Sequence, residues 1–362
     1  MIQAERFLVG RRALRDVRRD VVDLPDTLAT GQLLLEVNHF ALTANNVTYA
    51  VAGDSMHYWQ FFPVDETWGQ IPVWGFANVG ASAHPEVPAG ERLYGYLPMA
   101  THLVINAGNV HARSLTDVSA HRNGLAPVYN QYQRVSHDPA YRPQDDAVQM
   151  LYRPLFTTSF LLDDFLDDND FFGAECVVLT SASSKTALGL AWRLHAARRG
   201  RVAVVGLTSP RNRAFLERLG CYDRVLGYDA VDSLPLRPTV SVDLAGNGEV
   251  LAALHNHLDL ALVYSCLVGA THWDARAGAR GMKGPAPVLF FAPTHIERRR
   301  AEWGAAGFEA RLGAAWAGFT EAAADWITVE HARGFPAAEH VYRQLLDGTA
   351  PPELGYVISL RD

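Results

Sequence analysis

From residue 174 onward, short wholly apolar runs alternate with longer runs whose apolar residues recur at helical spacing. "ECVVLTS" is followed by "KTALGLAWRLHAARRG", which ends on a glycine as helices often do. "RVAVVGL" is followed by "SPRNRAFLERLG", in which Ser209 precedes Pro210 as an N-cap precedes the first helical residue. "RVLGY", "TVSVDLAG", the helix "GEVLAALHNHL", "LALVYSCLVG", a sixth strand "APVLFFAPT" and a long helix over 295–325 complete the series. Strands that are apolar throughout are buried on both faces, and their alternation with helices indicates a parallel sheet covered on both sides. This predicts a doubly wound domain over 151–325, with ligand at the carboxyl ends of its strands.

The first 120 residues carry a different pattern. "QLLLEVNHFALT", "GFANVGASAH", "ERLYGYLPMATHLVI" and "GNVHARSL" are short strands broken by Gly and Pro, which predicts a β-rich domain over 1–150. After residue 326, "WITVEHARGF" and "GYVISL" read as strands around the helix "AAEHVYRQLLDG". Residues 121–150 are polar, aromatic and Pro-containing. Within them Tyr129, Asn130, Tyr132 and Arg134 gather aromatic, amide and cationic groups of the kind that line a substrate pocket; a loop packing on its own protein is the competing reading.

Composition narrows the classes. Hydrophobic residues at 49%, charged residues at 20% and a net charge of −7 describe a globular chain without the basic surface that nucleic acid or anionic membrane requires. No apolar run is long enough to span a bilayer, and the N-terminus lacks the apolar core of a signal peptide. Cys176, Cys221 and Cys266 lie far apart and read as reduced, mostly buried thiols, so a cytoplasmic location is expected. His255 and His257, two apart on a helix, point different ways, and no metal site is expected. The run Asp163, Asp164, Asp167, Asp168, Asp170 lacks the glycine and closing glutamate of an EF-hand and reads as a solvated helix end.

The turn "TSASSKT" between the first strand and helix of the doubly wound domain is where such proteins cradle a phosphate. It has no glycine. Hydroxyls of Ser181, Ser183, Ser184 and Thr186 can donate to a phosphate, and Lys185 adds charge at the helix N-terminus. A P-loop is excluded, because Leu179 stands where its first glycine must be. A polar helix cap without a ligand remains the alternative.

The whole arrangement resembles the medium-chain dehydrogenase/reductase superfamily, in its zinc-independent quinone- and enoyl-reductase branch. "EVNHFALTANNVTYAVAG", "PAGERLYGY", "VVLTSASSKTALGLAWRLHAARRGRVAVVG", "DRVLGY" and "VDLAG" carry the resemblance, and the C-terminal run matches as well. The chain departs from the superfamily in lacking the catalytic-zinc cysteine and the four-cysteine lobe, which points to an uncharacterised subfamily. The resemblance implies a Rossmann-type doubly wound sheet plus a β-rich GroES-like domain to which 326–362 returns. It also implies a nicotinamide cofactor, a small-molecule substrate and, as in many members, a homodimer. The central glycines of the family's turn fall on Ser184 and Lys185, and the third on Ala187.

The second strand ends "VVGLTSPRNR", with no acid before Glu217 to grip the ribose hydroxyls of NADH. Ser209, Arg211 and Arg213 stand where a 2′-phosphate would lie, and Tyr228 matches the family's tyrosine beside it, so NADPH is the expected cofactor. Without zinc, an acceptor carbonyl or alkene is polarised by hydrogen bonds. Asn45, Tyr49 and Tyr58 flank the segment that reaches the nicotinamide in relatives, although a tyrosine in a β-rich domain also serves as packing. A reductase acting on an activated carbonyl, quinone or conjugated enoyl substrate is expected; a reductase-like binding or scaffold protein that has lost cofactor chemistry is the alternative.

Overall fold

Glycine and proline cut the N-terminal half into short strands, and these close on themselves. The computed structural model describes residues 2–25, 27–138, 141–268 and 282–361; Pro139 and Ala140 of the 121–150 segment and Gly269 at the end of the expected fifth strand lie outside them. The chain divides into two units: Met1–Leu151 with Thr328–Ala350 and Leu354–Asp362, and Tyr152–Ile327 with Pro351–Glu353.

In the first unit, β1 (Gln3–Gly10) pairs with β2 (Val17–Asp23), and the remaining N-terminal strands are β3 (Gln32–Leu42), β4 (Trp68–Gly69), β5 (Pro72–Ser82), β6 (Arg92–Pro98), β7 (His102–Gly108), β8 (Ser114–Asp117) and β9 (Gln131–Arg134). The order β3-β5-β6-β9-β8-β7, with β7 pairing back onto β3, makes an antiparallel barrel, which removes open sheet edges. Register explains two glycines in β5 and β6. Trp74 pairs with Tyr96, Gly75 with Gly95 and Phe76 with Tyr94, so the aromatics share one face and the glycines the other. A Cβ on Gly95 would stand 2.5 Å from the Tyr132 ring, and one on Gly75 2.5 Å from the His39 carbonyl. The glycines admit Tyr132 and the β3 backbone against the barrel wall. Phe7, Leu35, Val73, Leu97 and Ile105 fill the core beneath.

The second unit holds β10 (Cys176–Leu179), β11 (Ala203–Thr208), β12 (Arg224–Gly227), β13 (Thr239–Asp243), β14 (Leu262–Leu267) and β15 (Val288–Leu289), all parallel. Their spatial order β12-β11-β10-β13-β14-β15 is the 3-2-1-4-5-6 of a doubly wound dinucleotide-type sheet. Cys176, Val178, Val205 and Leu207 are buried, as their unbroken apolar runs predict. The sixth strand is shorter and more exposed than its sequence predicts. It is an edge strand of two residues with one neighbour, and Val288 and Leu289 are about half exposed. The long helix runs Ala292–Ala323 and breaks at Gly304, whose φ of +71° no helix continues through. Strands β16 (Thr328–Arg333) and β17 (Leu354–Ser359) return to the first unit, where β17 pairs with β3.

The run of aspartates is the main correction to the sequence reading. Helix α2 spans Asp146–Asp168, after the short α1 (Ala44–Val51), and its carboxyl end is not solvated. Asp163 is buried and takes Arg193 at 2.6 Å and Arg198 at 3.2 Å; Asp164 and Asp168 take Arg299 at 2.6 and 3.1 Å, and Asp167 takes Arg198 and Arg201. Arginines far along the chain neutralise the row, so it reads as a surface in sequence and as an interior ion-pair ladder in space. Such pairing, not exposure, is what lets a carboxylate be buried.

Candidate functional site

Two places collect the chemistry, one in each unit. In the second unit the turn after β10 leads into α3 (Lys185–Arg198). Ser181 takes a left-handed φ of +46°, unusual for a residue with a side chain and suited to a glycine-rich turn. Its N–H donates to the Tyr228 hydroxyl at 3.2 Å, so the structure brings these two expected residues together. Ser184 is the N-cap of α3, its hydroxyl accepting from the Ala187 N–H at 3.3 Å; as an acceptor it keeps its own proton to donate. Ser183 accepts from Asn212 at 2.8 Å and from Thr208 at 3.4 Å, which ties the turn to the segment after β11. The sequence reading passed over Asn212, which stands between the two arginines it selected. Thr186 is part-buried, and its carbonyl accepts from Ser159 at 2.7 Å. Close packing of α3 follows from Gly189, where a Cβ would stand 2.7 Å from the Ser159 hydroxyl.

Lys185 opens α3 only part-exposed, with the Tyr152 ring 5.8 Å from its ammonium. Although some of its surface reaches solvent, the protein around the ammonium desolvates it and pushes its pKa down to about 8. The helix dipole opposes a cation at this end as well. A desolvated lysine at a helix N-terminus is a poor arrangement for an empty cap and a good one for an anion.

The segment after β11 forms one 3-10 turn, Pro210–Asn212, before α4 (Arg213–Leu219) begins. Ser209 precedes that turn without making a side-chain cap, so its expected capping bond is missing. Arg211 and Arg213 are both exposed, and Arg213 pairs with Glu217 at 2.8 Å one helical turn on. Beneath the turn lies a tie that sequence reading missed. Thr180 and Asp243, both buried at the ends of β10 and β13, are hydrogen-bonded, and the Thr180 hydroxyl accepts from the Leu244 and Ala245 N–H groups at 2.9 and 3.1 Å. Burial raises the Asp243 pKa, countered in part by the Thr180 bond.

In the first unit, four tyrosines converge. Thr43 and Asn46 form a reciprocal cap at the start of α1, and the Asn46 amide donates to the Pro72 carbonyl at 2.9 Å. This anchors the helix that carries Tyr49. The Tyr49 ring lies 4.6 Å from Tyr58, 5.6 Å from Tyr96 and 6.4 Å from Tyr129, and the Tyr129 ring is 4.6 Å from Tyr96. Trp74 Nε1 approaches the Tyr49 hydroxyl at 3.5 Å, and the part-buried Asn45 also bonds that phenol. Burial raises the pKa of Tyr49, Tyr58, Tyr96 and Tyr129. All four are therefore protonated at neutral pH, able to donate a hydrogen bond. Tyr96 and Trp74 were not among the residues selected from sequence; the Trp-Gly-Phe and Tyr-Gly-Tyr alternation was the available signal.

The other residues selected in 121–150 go elsewhere. Tyr132 is fully buried on β9 and donates to the Tyr96 carbonyl at 2.8 Å. Arg134 forks onto Glu91 at 2.5 and 2.8 Å and donates to the His111 and Glu86 carbonyls. Asn130 is buried and accepts from Arg122 at 3.2 Å. Strand pairing turns this stretch into barrel wall, so only Tyr129 joins the phenols. Among the described residues no three His, Cys, Asp or Glu side chains group to hold a metal ion, and no helix is long and apolar enough to cross a membrane. Cys176, Cys221 and Cys266 are buried and unpaired by disulfides.

Solved structures share this architecture. The CurK enoyl reductase aligns over 99% of both chains at TM-score 0.60 and 12% identity. CurA from Vibrio vulnificus, solved in complex with NADPH, aligns over 99% of both chains at 0.61 and 14% identity. A putative NADPH:quinone reductase from Mesorhizobium loti aligns over 98% of both at 0.61 and 13% identity. At these identities the likeness is one of fold: the parallel sheet and the antiparallel barrel are those of the medium-chain reductases. No curated protein matches the sequence. A family described as "Protein of unknown function (DUF2855)" matches residues 40–351, most of the chain, and the protein belongs to it.

Proposed function

We propose that this protein is a zinc-independent, NADPH-dependent reductase acting on a small activated carbonyl, quinone or conjugated enoyl compound. The observation that carries the reading is Lys185, a desolvated cation on the first residue of the helix after the first strand of a doubly wound sheet. The residues fit a dinucleotide: a left-handed turn at Ser181, the Ser184 cap and Lys185 meet a pyrophosphate, while the exposed Arg211 and Tyr228 flank a 2′-phosphate. NADPH, when bound, supplies the hydride. Tyr49, Tyr58 and Tyr129 supply neutral phenol donors that polarise the acceptor oxygen, and their raised pKa values hold the proton in place at working pH. The NADPH complex of the Vibrio vulnificus neighbour supports the cofactor assignment by analogy of fold. The substrate reading includes acyl thioesters, which share the mechanism. A homodimer in the cytoplasm belongs to the same proposal.

One observation favours a second reading, a binding protein without cofactor chemistry: Ser183, Ser184 and the Ser181 N–H already have partners within the chain. Titrating NADPH and NADH while following the fluorescence of the eight tryptophans separates the two readings. Saturable NADPH binding, followed by its oxidation with a small quinone and enone panel, is the expected result. No binding of either dinucleotide at millimolar concentration would leave the second reading standing.

A further inference from the structure

The geometry points to Arg122 as a positioning residue that holds Tyr129 against the Tyr49–Tyr58 pair, an inference that rests on the phenols forming the acceptor site. Arg122 and Asp117 are an almost fully buried ion pair, with Nε 2.8 Å from Oδ2 and side chains only 1% and 2% exposed. The Nε–H is not aligned on the carboxylate, so the attraction is coulombic more than a shaped hydrogen bond. Asp117 is itself fixed at the end of β8, where its other oxygen accepts from the N–H groups of Asn106 and Ser119 at 3.2 and 3.0 Å. From this anchor the guanidinium reaches forward. Its Nη1 donates to the Tyr129 carbonyl and to the Asn130 side-chain oxygen, both at 3.2 Å. Its flat face lies over Phe61 and Phe62, 5.5 and 4.9 Å from the ring centroids.

The segment it grips needs such a bracket. Between β8 and β9 the backbone makes only the short 3-10 turns Ala120–Arg122 and Pro127–Asn130, with Gly124 at φ +81°. Neither turn has a side-chain cap. The Tyr129 ring must nevertheless sit 5.9 Å from Tyr58 and 5.3 Å from Phe61 for the cluster to form. Stability alone does not account for the pair, because well-packed apolar residues usually replace a buried ion pair without loss. A planar fork that binds a carbonyl and an amide oxygen together supplies orientation, which a lysine cannot reproduce.

The test labels the protein with 3-fluorotyrosine and follows its 19F spectrum, the Tyr129 resonance being assigned by Tyr129→Phe. Arg122→Lys keeps the charge opposite Asp117 but not the fork, and Asp117→Asn with Arg122→Gln removes both charges, leaving neither partner unpaired. In both variants the Tyr129 resonance should move by more than its line width, while those of Tyr222 and Tyr264 stay in place. If the wild type turns over NADPH, kcat should fall at least about tenfold with NADPH affinity unchanged, since small misplacements at a reacting centre are costly. A wild-type Tyr129 resonance in folded Arg122→Lys would overturn the proposal. So would collapse of every resonance in both variants, which would make the pair a general pillar. If the wild type binds no dinucleotide, the reductase reading fails, and the 19F positions still decide the role of Arg122.

Discussion

Replacing Lys185 with methionine should make the free protein more stable and the cofactor weaker. The lysine pKa falls from an ordinary 10.5 to about 8 on burial. At about 1.4 kcal/mol per unit, holding the charge in the folded state costs up to about 3 kcal/mol. Methionine keeps the length of the side chain and removes that cost, so we expect a gain of about 1–3 kcal/mol in the absence of ligand. The pH dependence follows from the sign. Between pH 8 and 10.5 the unfolded chain holds a proton that the folded one has released, so wild-type stability rises with pH across this window. The advantage of Lys185→Met should therefore be full below pH 8 and vanish towards pH 10.5. Affinity moves the other way. Loss of a charged contact to pyrophosphate should weaken NADPH and NADH alike, by about 1–3 kcal/mol. Wild-type affinity should also decline above pH 8, where the lysine is neutral. Denaturant unfolding at pH 7 and pH 10, with fluorescence titration of both dinucleotides, reads all of this. Unchanged dinucleotide affinity in Lys185→Met would make the turn a plain strand-to-helix corner. Unchanged or lower stability at pH 7 would show that the ammonium is not desolvated.

Three further outcomes can be measured. Arg211→Ala should weaken NADPH by about 1.5–3 kcal/mol and leave NADH nearly unaffected, and adding Arg213→Ala should change less, because Arg213 already pairs with Glu217; equal losses for both cofactors would misplace the 2′-phosphate. Asp163→Ala strands Arg193 and Arg198 without their buried partner and should cost about 3–5 kcal/mol by thermal or urea unfolding, against under about 0.5 kcal/mol for a solvated helix end. Activity with NADPH should survive prolonged EDTA treatment, and metal-dependent turnover would overturn the zinc-free reading.

The doubly wound sheet was legible in the sequence because its strands are covered on both faces, and such strands must be apolar throughout whatever their partners are. The strand–turn–helix at Cys176–Arg198 was legible for the same local reason, together with the Ser184 cap. The barrel strands could be anticipated, but not their pairing, since register depends on which distant strand lies alongside. That register sets Trp74 opposite Tyr96 and Gly75 opposite Gly95, creating the aromatic face beside Tyr49. It also makes Tyr132 and Arg134 part of the barrel wall although their composition suits a pocket. Charge was the least readable property. The aspartates 163–170 look exposed because nothing nearby in the chain neutralises them; Arg193, Arg198 and Arg299 arrive from later helices. Whether a polar side chain is solvated, paired or aimed at a ligand depends on neighbours remote in sequence. Local pattern determines only which backbone it stands on.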